Sequence, residues 1–223
     1  MPAPAFMTPG SDSRPAHGLV RACALAAVVL AALALALGTF PAGMAGGDYA
    51  IVFVHVPAAW LSLLLYVAAA ACAALTLAAP GRDAPLILQA LAPVGVGASL
   101  LALASGLASQ RALGAWWGWD ARLVCELVLL LLFAGAMALR CVAADPARAE
   151  RAVAVLVLVG ALNIPAIYFS VDWWHTLHER AAAGVGRSPP AVAAMAVMTL
   201  AFCMSAAAVV LARLQSGTPK EQQ

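Results

Sequence analysis

The strongest chemical signal in this chain is a short tryptophan-rich segment, residues 110–122. It holds three of the six tryptophans, Trp116, Trp117 and Trp119, in a sequence with only 7% aromatic residues. Two charged residues, Asp120 and Arg122, follow them at the end of the segment. Indole rings supply flat stacking area and one N–H donor each, and Gly118 lets a ligand approach the backbone. An ordinary interfacial belt explains a lone tryptophan such as Trp60. Three tryptophans in four residues instead favour a platform for a large, flat, amphipathic ligand.

Histidines in two distant parts of the sequence are candidate metal ligands. His55 lies in the first turns of the second apolar run. His175 and His178 follow Trp173 and Trp174, and they share a face if they lie on a helix. Two such histidines can supply both axial ligands of a haem iron. A closed zinc site needs four ligands, which no Cys or His pattern completes. Taken alone, His55 is better explained as a histidine that reaches water or hydrogen-bonds a neighbouring loop.

The charges beside the tryptophans suit an anionic ligand. Arg111 and Arg122 flank the segment and can pair with carboxylates such as haem propionates. Arg122 and Glu126 are also four residues apart, so mutual neutralisation on one helix explains them as well. Both interpretations stay open at this point. Glu126 is the one acid within an apolar run, and we expect it to face the interior of the protein rather than lipid.

Composition decides the class of protein. Hydrophobic residues make up 65%, charged residues 10%, and the mean hydropathy is +0.95, which indicates a membrane protein. The net charge is +2 with no basic run, so nucleic acid is not an expected partner. A phosphate-binding loop and a nucleophile elbow are both missing, and we expect a transport or chaperone protein rather than an enzyme. No C-x-x-C-H sequence is present, so any haem is bound non-covalently.

The apolar runs predict an all-α, polytopic membrane protein, a bundle of six transmembrane helices. Each run reaches the ~20 residues that cross a bilayer; the six are 19–40, 52–79, 86–109, 123–143, 152–171 and 190–212. The second run is too long for the hydrocarbon core, which puts His55 near the headgroups. Asn163 and Pro165 mark a kink in the fifth run. With six spans, the first, third and fifth loops emerge on the same face of the membrane. His55, the tryptophan segment and the segment 172–178 all lie in or next to these loops, so we expect them on one face.

Eight of the twelve Lys and Arg residues lie on the opposite face, which the positive-inside rule assigns to the cytoplasm. We therefore expect residues 1–18 to be a disordered cytoplasmic leader, 19–212 the membrane domain and 213–223 a cytoplasmic tail. The aromatic and histidine face is then periplasmic. The first run also resembles a signal peptide, but its length favours a retained helix.

Over residues 19–212 the sequence resembles the CcmC family, membrane proteins of bacterial cytochrome c maturation. The resemblance rests on the Trp116–Leu123 signature, on Glu126 and the apolar residues after it, on 55–62 and on 171–178. It implies that haem b binds at the periplasmic face of the inner membrane, between the tryptophan segment and axial ligands His55 and His178. It also implies delivery of haem to the periplasmic haem chaperone CcmE, with CcmD and the CcmA–CcmB ATPase complex as further partners.

Two positions depart from the family pattern. Leu113 replaces a usual tryptophan, and His175 replaces a usual asparagine, so His175 competes with His178 as the second ligand or serves as a spare. The main alternative function is an integral redox subunit that binds haem or quinone for electron transfer. Such subunits place paired histidines within their spans, whereas these histidines lie at membrane edges. A purely structural anchor is a third possibility.

Overall fold

The computed structural model describes residues 13–39, 47–79, 81, 83–112, 120–173 and 189–217, and its regular elements there are all helices. In chain order they are α1 (Ser13–Thr39), α2 (Gly47–Ala78), α3 (Asp83–Ala112), α4 (Ala121–Val142), α5 (Pro146–Gly160), α6 (Asn163–Trp173) and α7 (Pro189–Gly217). The described residues contain no strand, which confirms the all-α prediction.

Five helical segments in this described part are long and apolar enough to cross a membrane. They are Phe53–Ala78, Asp83–Arg111, Ala121–Val142, Pro146–Ser170 and Val192–Ser216. The remaining expected span, 19–40, falls in α1, which contains the apolar helix Gly18–Ala34 among the described residues. The chain is therefore a polytopic all-α membrane protein, as predicted. α1 begins at Ser13, so the helix extends back into the segment that the sequence assigns to a leader.

The predicted kink at Asn163 and Pro165 is a break between two helices. α5 ends at Gly160, residues 161–162 form a turn, and α6 begins at Asn163. Proline has no N–H to donate to the carbonyl four residues earlier, at Ala161. That carbonyl accepts from the Ile164 N–H instead, at 3.0 Å. The Asn163 side chain then donates from Nδ2 to the Cys125 carbonyl of α4, at 2.9 Å, and ties the start of α6 to α4.

The core depends on close helix packing around two aromatic rings. Tyr66 and Phe133 are fully buried and meet edge to face, with ring centroids 5.1 Å apart. The Tyr66 hydroxyl donates to the Val157 carbonyl at 3.1 Å, so the buried donor is satisfied. Gly95 faces the Phe133 ring, and Gly160 faces Tyr66. Small residues at these positions let membrane helices approach closely.

The packing of the helices brings the end of α3 close to the starts of α2 and α4. α2 packs against α3, α5 and α7; α4 packs against α3, α5 and α6; and α1 packs along α7. Asp120 caps α4: its Oδ1 accepts from the Arg122 N–H at 2.9 Å. The start of α4 lies beside the end of α3 and the first turns of α2, since Gly106 faces both Leu123 and His55. At the opposite end, Arg140 donates to Gln89 at 3.1 Å and to the Pro85 carbonyl at 3.0 Å.

We expect Gly95→Ala to lower the free energy of unfolding by about 1–3 kcal/mol, because the added methyl overlaps the buried Phe133 ring. Gly97→Ala is the matched control: a Cβ there meets no atom within 4 Å. Thermal unfolding of the detergent-solubilised protein measures both variants. Equal midpoints for the two would show that the Gly95 contact does not limit packing.

Candidate functional site

His55 lies on α2 and is held by the backbone of α3. Its Nδ1 is 2.9 Å from the Ala102 carbonyl oxygen and 3.2 Å from the Ser105 hydroxyl. A carbonyl only accepts, so Nδ1 carries the proton. Ser105 donates its own proton to the Leu101 carbonyl at 2.6 Å, which leaves its oxygen able to accept from the histidine. In this tautomer Nε2 carries the lone pair that can ligate a metal.

Gly106 makes room for the histidine ring. A Cβ at this position would lie 2.9 Å from His55 Cε1 and would also collide with Leu123. Real Cβ atoms essentially never approach so closely, so either the ring or the helix would have to shift. The absence of a side chain at Gly106 thus allows the imidazole to lie against the α3 backbone, within reach of the Ala102 carbonyl.

A cavity of about 160 Å³ opens beside His55, between α2, α4 and α6. Its polar wall residues are His55, Arg122 and Glu126; the others are apolar or aromatic: Val56, Ala59, Trp60, Leu63, Leu123, Ile167 and Tyr168. Trp60 and Tyr168 are 52% and 66% exposed, so both side chains also lie at the surface of the helix bundle. Sites for drug-sized ligands measure ~300–1,000 Å³, so this cavity is too small to enclose a large ligand.

Arg122 and Glu126 both reach this cavity, but they do not neutralise each other. Their charged groups form no ion pair within 4 Å. The ion pair found among the described residues joins Arg148 to Asp145 instead. Arg122 Nε and Glu126 Oε1 are both buried and make no hydrogen bond within the described residues. The alternative that the pair exists only for mutual neutralisation is therefore not supported by the geometry.

Glu126 faces the interior of the protein, as predicted, and is only 6% exposed. The hydroxyls of Ser62 on α2 and Ser99 on α3 lie beside its carboxyl group. Both serines are fully buried, yet Ser99 Oγ makes no hydrogen bond of good geometry, and Ser62 donates to the Ala59 carbonyl at 2.9 Å. Three helices thus converge on one buried polar cluster at the inner wall of the cavity.

Sequence reasoning missed the residues that hold His55 and Glu126. Several of them lie on the same helical face as a predicted residue or as one another, which is visible in their spacing along the sequence. Ser62 follows His55 by seven residues, two turns along the same face, and Ser99, Ala102 and Gly106 share a face of α3. No sequence pattern indicates Tyr168 as a cavity residue, because its place in the cavity depends on the break before α6.

The structure brings His55, Arg122 and Glu126 to one cavity, with Asp120 at the adjacent helix start. Trp173 is the last residue of α6, and its side chain is outside the described part. The other proposed binding residues also lie outside the described residues: Trp116, Trp117, Trp119, Trp174, His175 and His178. Among the residues described, no three His, Cys, Asp or Glu side chains form a metal-binding group.

Comparison with known proteins gives a family. The family model described as "Heme exporter protein C", CcmC, matches residues 5–222. The chain is 44% identical over 154 residues to Heme exporter protein C of Bradyrhizobium diazoefficiens, which covers 66% of this chain and 59% of that protein. It is 43% identical over 135 residues to Heme exporter protein C of Escherichia coli, covering 60% of this chain and 55% of that protein.

A ccmC-like mitochondrial protein of Marchantia polymorpha, named for cytochrome c biosynthesis, is 38% identical over 135 residues, which is 60% of this chain and 57% of that protein. The matched regions thus span a little over half the length of these three relatives. Because the family model covers nearly the whole chain, this polytopic membrane protein belongs to the CcmC family, the heme exporter protein C family.

Proposed function

We propose that this chain binds haem b non-covalently, as cargo, at the periplasmic face of the inner membrane and delivers it to the chaperone CcmE for cytochrome c biogenesis. The observation that carries the proposal is the state of His55. Its Nδ1 lies 2.9 Å from the Ala102 carbonyl, which makes Nε2 the candidate ligating atom, and His55 lines a cavity that Arg122 also lines. The hydrogen bond at the other nitrogen fixes the tautomer and increases the basicity of a ligating histidine.

The chemistry of the cavity fits one edge of a haem. Its lining is mainly apolar and aromatic, which suits a macrocycle, and the buried Arg122 Nε suits a propionate. The cavity is smaller than a haem, so the remaining contacts belong to the tryptophan segment (Trp116, Trp117 and Trp119) and to 172–178, with Trp173 and Trp174. His178 is the proposed second axial ligand, and His175 a spare or supporting residue.

The membrane orientation and partners are also proposals. The excess of Lys and Arg on the other face supports cytoplasmic termini, with 1–18 as leader, 19–212 as membrane domain and 213–223 as tail. CcmD and the CcmA–CcmB ATPase complex would assemble with this chain. Since the sequence has no phosphate-binding loop, ATP hydrolysis would be the work of that complex, and this chain would not act as an enzyme.

We expect His55→Ala combined with His178→Ala to abolish the Soret band of protein purified from haem-replete cells co-expressing the chaperone, because both axial ligands are lost. His17→Ala is the matched control and should keep the full band. Retention of haem with an unchanged spectrum in the double variant would refute the ligand assignment. The single variants His175→Ala and His178→Ala then identify the second ligand.

Gly106→Ala should weaken haem binding about tenfold or more, since it displaces the His55 ring from the Ala102 carbonyl, and loss of such a supporting contact costs roughly 10–100-fold in metal affinity. Titration of haem into the purified protein, followed at the Soret band, measures the change. Gly97→Ala on the same helix is the control and should bind normally. Equal affinity of both variants would mean that His55 does not need its α3 contact.

The proposed orientation predicts that alkaline phosphatase fused after Gly81 is inactive, whereas the same enzyme fused after Gly184 is active. Alkaline phosphatase needs an oxidising compartment for its disulfides, so its activity reports the side of the membrane. A reversed pattern would overturn the periplasmic assignment of His55 and the tryptophans.

A further inference from the structure

A second cavity lies at the other end of the bundle, where α3 begins and α7 ends. Its volume is about 600 Å³, within the ~300–1,000 Å³ that is usual for small-molecule sites. None of its lining residues belongs to the cavity beside His55. Polar and apolar side chains both line it, among them Asp83, Gln89, Arg213, Leu86, Ile87 and Ala90.

This second cavity lies at the edge of the membrane-spanning region. The span on α3 begins at Asp83, and the span on α7 ends at Ser216. Between Asp83 and Ala90 the cavity wall extends along α3 by roughly 10 Å, at ~1.5 Å per residue. The polar layer on each side of a bilayer is roughly 5–8 Å thick. The cavity is therefore deep enough for a lipid headgroup and the start of its acyl chains.

Two opposite charges line this cavity without neutralising each other. Asp83 is the first residue of α3, Arg213 lies near the end of α7, and both side chains are exposed. Their charged groups form no ion pair within 4 Å, whereas Arg148 and Asp145 in the described part of the chain do. Each charge is favourable at its own helix end because of the helix dipole, but that effect needs no cavity between them. A carboxylate and a guanidinium in one cavity suit a ligand that has a charge of each sign.

Gln89 adds hydrogen-bond donors to the same wall. Its Oε1 accepts from Arg140 of α4 at 3.1 Å, and Arg140 also donates to the Pro85 carbonyl at 3.0 Å. Because an arginine only donates, the amide oxygen of Gln89 is directed to Arg140, and its amide N–H groups are the donors that it can offer a ligand. Such donors suit phosphate and ester oxygens. Arg140 thus acts as a positioning residue that braces the α3 wall of the cavity.

We propose that this cavity binds the headgroup of phosphatidylethanolamine, with the lipid phosphate at Arg213 and the ammonium at Asp83. This headgroup has both charges, joined by a short ethylene linker, so it complements the two side chains at once. Phosphatidylglycerol has the phosphate but no ammonium for Asp83. Phosphatidylcholine has a quaternary ammonium, which has no N–H to donate to a carboxylate. Leu86 and Ile87 then contact the acyl chains. This binding is separate from haem binding and does not depend on it.

The test measures lipid binding to the delipidated full chain in detergent by native mass spectrometry. Dioleoyl phosphatidylethanolamine, phosphatidylglycerol and phosphatidylcholine are titrated separately, and the wild-type chain should bind the first most tightly. Asp83→Asn should weaken phosphatidylethanolamine binding about fivefold to tenfold, because a charge-assisted hydrogen bond is lost, and leave phosphatidylglycerol binding unchanged. Arg213→Gln should weaken the binding of both lipids by a similar factor, since both have a phosphate.

Arg148→Gln is the matched control for Arg213→Gln. Arg148 lies near the same end of the bundle, but it pairs with Asp145 at 3.3 Å and does not line the cavity, so all lipid affinities should stay unchanged. Asp83→Glu and Arg213→Lys keep the charges and should retain the preference for phosphatidylethanolamine. They keep the test valid if a neutral variant folds poorly.

A preference for phosphatidylethanolamine that Asp83→Asn selectively removes supports the proposal. Equal affinity of the wild-type chain for the three lipids, or no bound lipid, overturns it. A preference for phosphatidylglycerol also overturns it and indicates a site for anionic lipid instead. Loss of the preference in Arg148→Gln would show that the cavity is not its source. Haem binding is measured separately at the Soret band, so the failure of this proposal and that of the proposed function are distinguishable.

Discussion

The constraint behind this structure is that the hydrocarbon region of a membrane offers no hydrogen bonds to polar groups. Every polar side chain inside the bundle must find a partner within the protein or remain at considerable cost. Most of them follow this rule within their own helix: Thr76, Thr199 and Ser205 each donate to the carbonyl four residues earlier. The exceptions are grouped on one side of α4, where Ser99, Arg122 and Glu126 keep atoms without a partner in the described residues. In the described part of the bundle, the buried side-chain atoms without a partner thus lie on α4 and on the neighbouring α3, and two of the three residues line the cavity beside His55.

The His55 arrangement follows from the same constraint. A partly buried imidazole needs a partner for its N–H, and the Ala102 carbonyl serves because the α3 backbone is accessible beside Gly106. α3 can be approached there because its residues are small: Ala102, Ser105 and Gly106. The composition of α3 therefore has a chemical role in addition to packing. Larger side chains would separate α2 from α3, and the histidine would lose the contact that sets its tautomer.

Much of the fold follows from patterns that act over short stretches of sequence. Apolar runs separated by Pro, Gly and charge predict the helices, and Pro165 predicts the break before α6, because each effect depends on local chemistry. The inward orientation of Glu126 follows from the cost of exposing an acid to lipid. The cluster of Ser62, Ser99 and Glu126 is different, since three helices must meet at a particular rotation and depth. A single sequence shows which residues share a helical face, but not how neighbouring helices are rotated and offset relative to each other. The proximity of Ser62 and Ser99 to Glu126 is therefore known only from the structure.

The break between α5 and α6 has a mechanical consequence. An unbroken helix transmits rotation along its axis, so a twist of α5 would turn every residue further along the chain by the same angle. At residues 161–162 the helix is interrupted by a turn, and the Asn163 side chain anchors the start of α6 to the Cys125 carbonyl of α4. The start of the helix that carries Ile167 and Tyr168 is therefore tied to α4, the helix that also carries Arg122 and Glu126. One hydrogen bond thus links the two helices that form these walls of the cavity.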